Sequence, residues 1–181
     1  YDCCPFSDGA SSVVLCSEKF AKAHGGDYVE VIGSGRGGSP AALQGREHMT
    51  TIPSTKIAAK AAYDMAGITA RDIDFAEVHD CFTIAEVVDT EDLGFFAKGQ
   101  GIQAIREDRT KLNSDISINP SGGLKSKGHP IGATGVGQVV EVFDQLTGKA
   151  GARTVKDAKI GLTHNFGATG ASCAVHVFQS V

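Results

Sequence analysis

Strand-like and helix-like segments alternate along this 181-residue chain, and its last two strand-like segments follow each other directly. Apolar residues at helical spacing predict helices over residues 17–24, 54–66, 82–93 and 134–146. Strand-like runs lie at 7–15, at 28–38, within ITARDIDFAEVHD, and at 159–165 and 170–178. The tight turn NFGATG joins the last two runs, which is typical of a β-hairpin. This order predicts an α/β fold with a mixed sheet that helices cover on both faces.

Several local features of these elements are also expected from the sequence. The strand YVEVIGSGRGG leads into a glycine-rich loop that extends to about Thr51. Ser54 and Thr134 are expected to cap the helices that follow them. Two apolar stripes are expected to face the core, namely Ile84, Val87, Val88 and Leu93 in the helix over 82–93, and Val136, Val139, Val140, Phe143 and Leu146 in the helix after Thr134.

The composition argues against several classes of partner. A formal net charge of -4 disfavours nucleic acid as the main partner. No apolar run approaches the roughly 20 residues that a membrane span needs, and the first residues lack a signal-peptide pattern. The five cysteines include no CxxC pair, so we expect free thiols in a reducing compartment. These observations favour a cytoplasmic location, or a peroxisomal or mitochondrial one in a eukaryote.

Two glycine-rich segments resemble nucleotide-binding motifs. GSGRGG (33–38) matches GxGxxG after a strand, but the fingerprint needs a helix to follow directly, and SPAALQGREHMTT has no helical stripe. GGLKSKGH lacks the GK[ST] ending of a phosphate-binding loop. A flexible loop is therefore favoured over a nucleotide site at both positions.

Three of the six histidines stand where catalytic groups collect in proteins. His79, His129 and His164 each lie at a strand end or in a glycine-rich turn. The other three fit solvated positions or a structural position in a strand: His24, His48 and His176. Three histidines together with Cys81 make a functional site as probable as a set of unrelated structural roles.

Cys81 can be a core thiol, a metal ligand or a reactive thiolate. A metal site would need more Cys or His at close spacing than HDC supplies, so no metal is expected. His79 lies two residues away and a helix begins near Phe82, and both features favour a thiolate with a pKa below the ordinary value of about 8.5. In an extended segment, residues 77, 79 and 81 would point to one face. Three of the other four cysteines fit packing or turn positions: Cys3, Cys4 and Cys173.

Four motifs, CCPFSDGASSVVL, AEVHDCFTIAEVVDTEDLGF, NPSGGLKSKGHPIGATG and LTHNFGATGA, follow one another along nearly the whole chain. With them the chain resembles the C-terminal half of a thiolase, most closely the sterol-carrier-protein-linked (SCP-x type) thiolases with their bacterial and archaeal relatives. The resemblance implies a thiolase-like fold, with the end of the N-terminal half at residues 1–26 and the C-terminal βαβαβαββ half at 27–181. Ordinary thiolases carry NEAF in place of HDCF, and a CxG motif where this chain has NFG (165–167).

The resemblance implies an acyltransferase that makes or breaks a carbon–carbon bond between acyl groups held as coenzyme A thioesters, with no resident cofactor. Cys81 would move the proton at the substrate α-carbon, and His129 would activate a nucleophilic cysteine. His79 and the backbone N–H of Gly167 would serve the two oxyanion holes. Further residues are implied near the site without firm roles: His164 and Asn165 as neighbours, and Ser121, Gly122 and Gly123 toward coenzyme A.

One departure from the family concerns the nucleophilic cysteine, which thiolases carry in the N-terminal half that this sequence lacks. Neither Cys3 nor Cys4 occupies its motif. Since the chain begins at Tyr1, we expect a fragment or a processed product whose missing half is a partner. The resemblance also implies a homo-oligomer and, as in some relatives, a zinc-containing OB-fold accessory protein that binds acyl-CoA. The alternatives are a non-catalytic acyl-CoA-binding or lipid-binding protein and an assembly subunit.

Overall fold

The computed structural model describes residues 2–181, and its elements follow the expected alternation. The strands in this part of the chain are β1 (Val29–Gly38), β2 (Phe75–Glu77), β3 (Ser117–Ile118), β4 (Ile160–Gly167) and β5 (Ser172–Ser180). The α-helices are α1 (Glu18–His24), α2 (Pro53–Ala66), α3 (Thr83–Asp92), α4 (Gly101–Arg106), α5 (Gly123–Lys127) and α6 (Thr134–Leu146). From β1 onward this is the expected βαβαβαββ order, with the short helices α4 and α5 in its connections.

The strands form one mixed sheet in the order β1-β5-β4-β2-β3. The hairpin strands β4 and β5 are antiparallel, and β5 also pairs antiparallel with β1. By contrast, β2 runs parallel to both β4 and β3. The predicted mixed sheet is therefore confirmed. Because β2, β3 and β4 run in the same direction, the segments that follow them emerge at the same end of the sheet. Open α/β sheets bind their ligands at this carboxyl end of the strands.

Both faces of the sheet are covered by helices, as predicted. On one face, a large core cluster joins alanines of α2 to alternate residues of β5 such as Val175 and Val177, and it extends to Leu93 beyond α3. On the other face, Val142 of α6 packs with Phe75 and Phe178 in a second cluster. Each burial pattern follows from the two-residue period of the strands, which sends alternate side chains to opposite faces.

The glycines of β1 allow α2 to lie directly on the strand. A Cβ atom at Gly35 would stand 2.0 Å from the backbone oxygen of Ala58, and one at Gly37 would stand 1.9 Å from that of Ser54. The strand therefore runs through GSGRGG, so the predicted glycine-rich loop begins only after Gly38. A helix does not follow directly, since α2 begins only at Pro53.

We expect Gly37→Ala to destabilise the chain because the new methyl group collides with the backbone of α2. Overpacking of this kind typically costs about 1–3 kcal/mol, and backbone atoms yield less readily than side chains. Gly38→Ala is the matched control, since its Cβ meets only the oxygen of Ala171, at 3.9 Å. Chemical denaturation of the two variants measures the difference. Equal free energies of unfolding would show that α2 does not lie this close to β1.

The predicted strand over residues 7–15 is wrong, since residues 7–17 have no regular secondary structure. A strand needs a neighbour that takes its backbone hydrogen bonds, and neither edge strand, β1 or β3, pairs with this segment in the described part of the chain. The helix that follows is confirmed, with Ser17 as its cap and Gly25 at its end. The boundary between residues 26 and 27 stays a prediction, and Tyr1 lies outside the described residues.

Both predicted helix caps are wrong. Ile52 holds the cap position of α2 and Pro53 follows it, because proline has no N–H and suits the first helical turn. The Ser54 hydroxyl instead donates to the backbone oxygen of Gly170 at 2.6 Å. Thr134 lies inside the first turn of α6, and Ala133 holds the cap position.

The predicted apolar stripes are only partly correct. In α3, Leu93 is buried as expected, but Ile84 is 64% exposed and its neighbour Ala85 is buried instead. In α6, Val139 and Leu146 pack against the second core cluster. Val140 and Phe143 line a cavity of about 810 Å³ on the other side of the helix. The α6 stripe therefore extends beyond the core of this chain.

Candidate active site

The N-terminal residues Cys3–Phe6 bring the HDCF and GHP segments together. The Cys4 N–H donates to the backbone oxygen of Cys81 at 3.0 Å, and the His129 N–H donates to that of Pro5 at 2.8 Å. Cys3 lies opposite Phe82 in an antiparallel bridge, and Phe6 pairs with His129 in a parallel one. Two segments about fifty residues apart in sequence are thus joined through a third. The tail assigned to the N-terminal half is part of the site's framework.

His79 lies at the centre of the site. Its ring centroid is 5.1 Å from that of His129 and 4.7 Å from that of Phe166, both in edge-to-face arrangements. The side chain is buried, and its Nδ1 atom has no hydrogen-bond partner in the described part of the chain. Burial, followed by the nearby charge of His129, lowers the pKa of His79 to about 4. His79 is therefore neutral near pH 7 and can offer an N–H group without carrying a charge.

The hydrogen bonds of His129 determine which ring nitrogen is free to take a proton. Its Nδ1 lies 2.7 Å from Oγ1 of Thr134, and the hydroxyl of Thr134 donates to the backbone oxygen of Pro130 at 3.2 Å. Because that hydroxyl has one proton, Nδ1 of His129 must be the donor toward Thr134. Nε2 is then the unprotonated nitrogen, as a general base requires. Burial lowers the pKa of His129, which also favours the neutral base.

Cys81 follows His79 by two residues in the chain and is half-buried against the larger core cluster. Its pKa is raised to about 11, first by burial and next by the carboxyl of Asp89. The prediction of a lowered pKa is therefore wrong. The reason is that His79 is neutral, not an imidazolium, and the backbone N–H at the start of α3 offsets only part of the burial. At rest Cys81 is a thiol, which can give a proton but is not a ready nucleophile.

The predicted common face of residues 77, 79 and 81 is also wrong. The Asp80 N–H donates to the backbone oxygen of Val78 at 3.1 Å, so the chain turns directly after β2. Glu77 faces away from the histidines and accepts two hydrogen bonds from Ser121, from its N–H at 3.0 Å and its hydroxyl at 2.6 Å. Side chains alternate only while a strand continues, and β2 ends at Glu77.

We expect Cys81 to react slowly with iodoacetamide, because its raised pKa leaves little thiolate at neutral pH. At pH 8 its alkylation should be at least about tenfold slower than that of a cysteine in an unstructured peptide, once the higher reactivity of a more basic thiolate is allowed for. The Cys81 rate should still rise above pH 9, where the peptide rate levels off. Peptide-resolved mass spectrometry measures both, and a Cys81 rate that levels off near pH 8 would contradict the assignment.

The loop after β3 is hydrogen-bonded to the segment that contains HDCF. Oδ1 of Asn119 accepts the Val78 N–H at 2.8 Å, and Oδ1 of Asp80 accepts the Leu124 N–H at 2.8 Å. Gly123 has a φ of +61°, and a Cβ there would stand 2.3 Å from Asp80. Ser121, Gly122 and Gly123 thus fix the loop that precedes GHP. Their proposed contact with coenzyme A stays a prediction.

The end of β4 borders a separate cavity, whose lining does not include His79, Cys81 or His129. Gly167 and Asn165 line a cavity of about 480 Å³ together with Gly132 and Gly135, which flank the start of α6. The Asn165 amide donates to the side-chain oxygen of Gln138 at 3.4 Å. His164 points to the opposite face of the sheet and is completely buried. Gly167 and Asn165 therefore border open space, whereas His164 does not.

Comparison with known protein families shows which family the chain belongs to. Residues 35–180 match the family described as thiolase C-terminal domain-like. The chain belongs to this family. The match covers every strand of the sheet except the first part of β1, and it includes the HDCF, GHP and NFG segments.

Nearly the whole of this chain is also similar in sequence to other proteins. The chain is 48% identical over 178 residues to an acetyl-CoA acetyltransferase of Methanothermobacter thermautotrophicus, covering 98% of this chain and 46% of that protein. It is 40% identical over 186 residues to sterol carrier protein 2 of Homo sapiens, covering 93% of this chain and 32% of that protein. This thiolase C-terminal domain therefore spans about half or less of the length of the curated relatives it matches.

A solved structure supports the fold alone. The chain named Ltp2-ChsH2(DUF35) aldolase superposes with a TM-score of 0.77 at 20% identity, covering 85% of this chain and 40% of that one. Within residues 2–181, no helix is both long and apolar enough to cross a membrane. No group of three or more His, Cys, Asp or Glu side chains in the same range has the geometry to hold a metal ion.

The structure thus gathers part of the predicted site. His79 and His129 are in ring contact, Cys81 lies two residues from His79, and Gly167 ends the neighbouring strand. Sequence reasoning missed two residues of this site, Phe166 and Thr134. Phe166 has no reactive or polar group that would identify it as a site residue. Thr134 precedes an apolar helix, and a threonine in that position usually indicates a helix cap rather than a site residue.

Proposed function

We propose that this chain is the C-terminal catalytic part of an acyl-CoA thiolase, which cleaves or forms the carbon–carbon bond of acyl-CoA thioesters. The observation that carries the proposal is the ring contact of His79 with His129 and with Phe166 at the end of β4, two residues before Cys81 in the chain. Acyl-CoA is the proposed substrate, and no cofactor is invoked. The similarity to acetyl-CoA acetyltransferases and the family membership support this assignment.

In the proposed reaction the role of each residue follows from its hydrogen bonds and burial in the structure. His129, with Nε2 unprotonated, removes the proton from the nucleophilic cysteine of the other half and later donates to an oxyanion. Neutral His79 donates to the thioester oxygen as negative charge develops there, and donors placed in this way contribute about 3 kcal/mol each in comparable sites. Cys81 exchanges a proton with the substrate α-carbon. A thiol with a pKa of about 11 is well suited to return a proton to a strongly basic carbanion.

We further propose that an N-terminal thiolase half covers the outer side of α6. The half-buried apolar stripe of α6 and the exposed Val14 and Leu15 border the same 810 Å³ cavity. Val14 is 88% exposed and Leu15 is 81% exposed, and neighbouring exposed apolar side chains of this kind favour an interaction site. Homo-oligomer formation and a zinc-containing OB-fold accessory protein belong to the same proposal. So does a reducing compartment, consistent with the free thiols of all five cysteines.

A non-catalytic acyl-CoA-binding or lipid-binding role, or an assembly role, is the alternative. It is favoured less because such a protein has little need for a histidine with a fixed tautomer next to a second, neutral histidine. Activity assays distinguish the catalytic role from this alternative. The chain is combined with an N-terminal half that carries the nucleophilic cysteine, and acetoacetyl-CoA cleavage is followed with and without that half. We expect cleavage only with both halves, and acyl-CoA binding without cleavage by the combined halves would favour the alternative.

A further inference from the structure

A row of hydrogen-bonded and closely spaced polar side chains lies buried in the core beneath the proposed site. These side chains take no part in the proposed reaction. Oδ2 of Asp89 in α3 stands 3.6 Å from Nδ1 of His164 in β4, and both side chains are fully buried. On the other side of the ring, Nε2 of His164 lies 2.9 Å from Oγ1 of Thr55. The Thr55 hydroxyl in turn donates to Sγ of Cys173 at 3.7 Å. Four residues from α2, α3, β4 and β5 thus form one line through the core.

The directions of these bonds are restricted by the number of protons. If the Thr55 hydroxyl gives its proton to Cys173, it must accept one from Nε2 of His164. A neutral histidine that carries its proton on Nε2 has a bare Nδ1, which needs a donor. Both oxygens of Asp89 and Nδ1 of His164 lack any hydrogen-bond partner in the described part of the chain. A proton on Asp89 would satisfy two of these three atoms at once.

The surroundings of Asp89 disfavour its anion. Asp92, one helical turn away, has the partners that a buried carboxyl group normally needs, since it accepts hydrogen bonds from the Ile52 N–H at 2.6 Å and from Nζ of Lys98 at 2.9 Å. Asp89 has no such donors, and isolated charges are very costly to bury. Burial, followed by the charges of neighbouring acidic groups, raises its pKa well above the ordinary value. The charged groups that act on it are Asp92, Glu86 and Asp80, which disfavour the anion, and Lys98, which favours it.

His164 does not supply a compensating charge. Burial, followed by His79, lowers its pKa to about 3, so an imidazolium is excluded near neutral pH. At 3.6 Å the contact with Asp89 is longer than a hydrogen bond, and a slight rotation of either side chain would bring it to the usual length of about 2.7–2.9 Å. The pair is therefore built for one shared proton and no net charge.

We propose that Asp89 is a neutral carboxylic acid that donates to His164, and that this uncharged pair is a positioning element for the Cys81 and His79 site. His164 contacts Phe166 at 5.8 Å between ring centroids, and Phe166 forms the wall on which His79 rests. Of the acidic groups near Cys81, the Asp89 anion would contribute most to raising the pKa of the Cys81 thiol. With its proton in place Asp89 makes no such contribution at neutral pH, and burial remains the main cause of the raised pKa.

The test uses the chain assembled with its N-terminal half and two variants of one position. Asp89→Asn keeps the shape, stays uncharged and can still donate to Nδ1, whereas Asp89→Leu is uncharged but cannot donate. At pH 7 we expect Cys81 alkylation by iodoacetamide, resolved by mass spectrometry, to proceed at the same rate in the wild type and in Asp89→Asn. At higher pH the wild type should fall behind as Asp89 loses its proton. The infrared difference spectrum, wild type minus Asp89→Asn, should show a protonated carboxylic acid at pH 7.

Two results would overturn the proposal. Faster alkylation of Asp89→Asn at pH 7, or a carboxylate band in the difference spectrum, would show that Asp89 is an anion. The positioning role is tested by turnover: Asp89→Asn should retain the wild-type rate within a few-fold, and Asp89→Leu should lose about tenfold in kcat, the value of one hydrogen bond. Equal turnover in both variants would refute it. The role beneath Cys81 rests on the proposed function, but alkylation and the infrared band need no turnover, so the two can fail separately.

Discussion

Replacing Cys81 by alanine in the assembled two-half protein is expected to abolish carbon–carbon bond exchange while leaving acylation of the nucleophilic cysteine intact. In the proposed reaction the thiol of Cys81 is the proton carrier at the substrate α-carbon, and general acid–base groups typically contribute about a hundredfold to ten-thousandfold. Acylation needs no proton transfer at the α-carbon, so it depends on His129 instead. Stopped assays that measure the acyl-enzyme and the condensation product separately will show the two steps.

Cys173→Ala is the matched control for this substitution. Cys173 is also a buried thiol of the larger core, but it is the second residue of β5 and its Sγ accepts a hydrogen bond from Thr55 of α2. We expect its loss to affect stability rather than the division between acylation and condensation. If Cys81→Ala condenses acyl-CoA at the wild-type rate, another group carries the α-proton.

Replacing His129 by alanine should lower both acylation and condensation, each by at least about a hundredfold. In the proposed reaction one neutral ring serves both steps, first as the base for the nucleophile and then as a donor to an oxyanion. Thr134→Val provides a graded comparison. It removes the oxygen that accepts the Nδ1 proton, so the tautomer of His129 is no longer fixed and both steps should fall together by a smaller factor. Loss of condensation with normal acylation in His129→Ala would show that His129 does not serve the nucleophile.

The placement of the site could be predicted from the sequence because it depends on local pattern and topology. HDCF and NFG each end a strand, and parallel strands bring their ends to one edge of the sheet. The hairpin and the two covered faces follow from the same alternation. The segment over 7–15 could not be assigned correctly in this way. Its apolar, β-branched end at residues 13–15 is typical of a strand, but a strand forms only where a neighbouring strand can accept and donate its backbone hydrogen bonds.

The electrostatics of the site could not be predicted from spacing. A histidine two residues from Cys81 suggests a lowered thiol pKa, but only if that histidine carries a charge. Phe166 and His129, brought from distant parts of the chain, bury His79 and keep it neutral. An ionised Asp89 would raise the Cys81 pKa further, although in sequence Asp89 is only a polar position in a helix. Tertiary burial therefore decided the sign of the shift.

The most direct test of the account is the exchange of acetyl-CoA methyl protons with solvent deuterium, measured on the assembled protein after the nucleophilic cysteine of the N-terminal half has been replaced by alanine. That variant cannot form an acyl-enzyme, so any exchange must come from the residues described here. The account predicts that exchange persists in this background and is lost when Cys81→Ala is added. Exchange that survives the loss of Cys81, or that is absent while Cys81 is intact and acetyl-CoA is bound, would contradict the assignment of the α-proton to this chain.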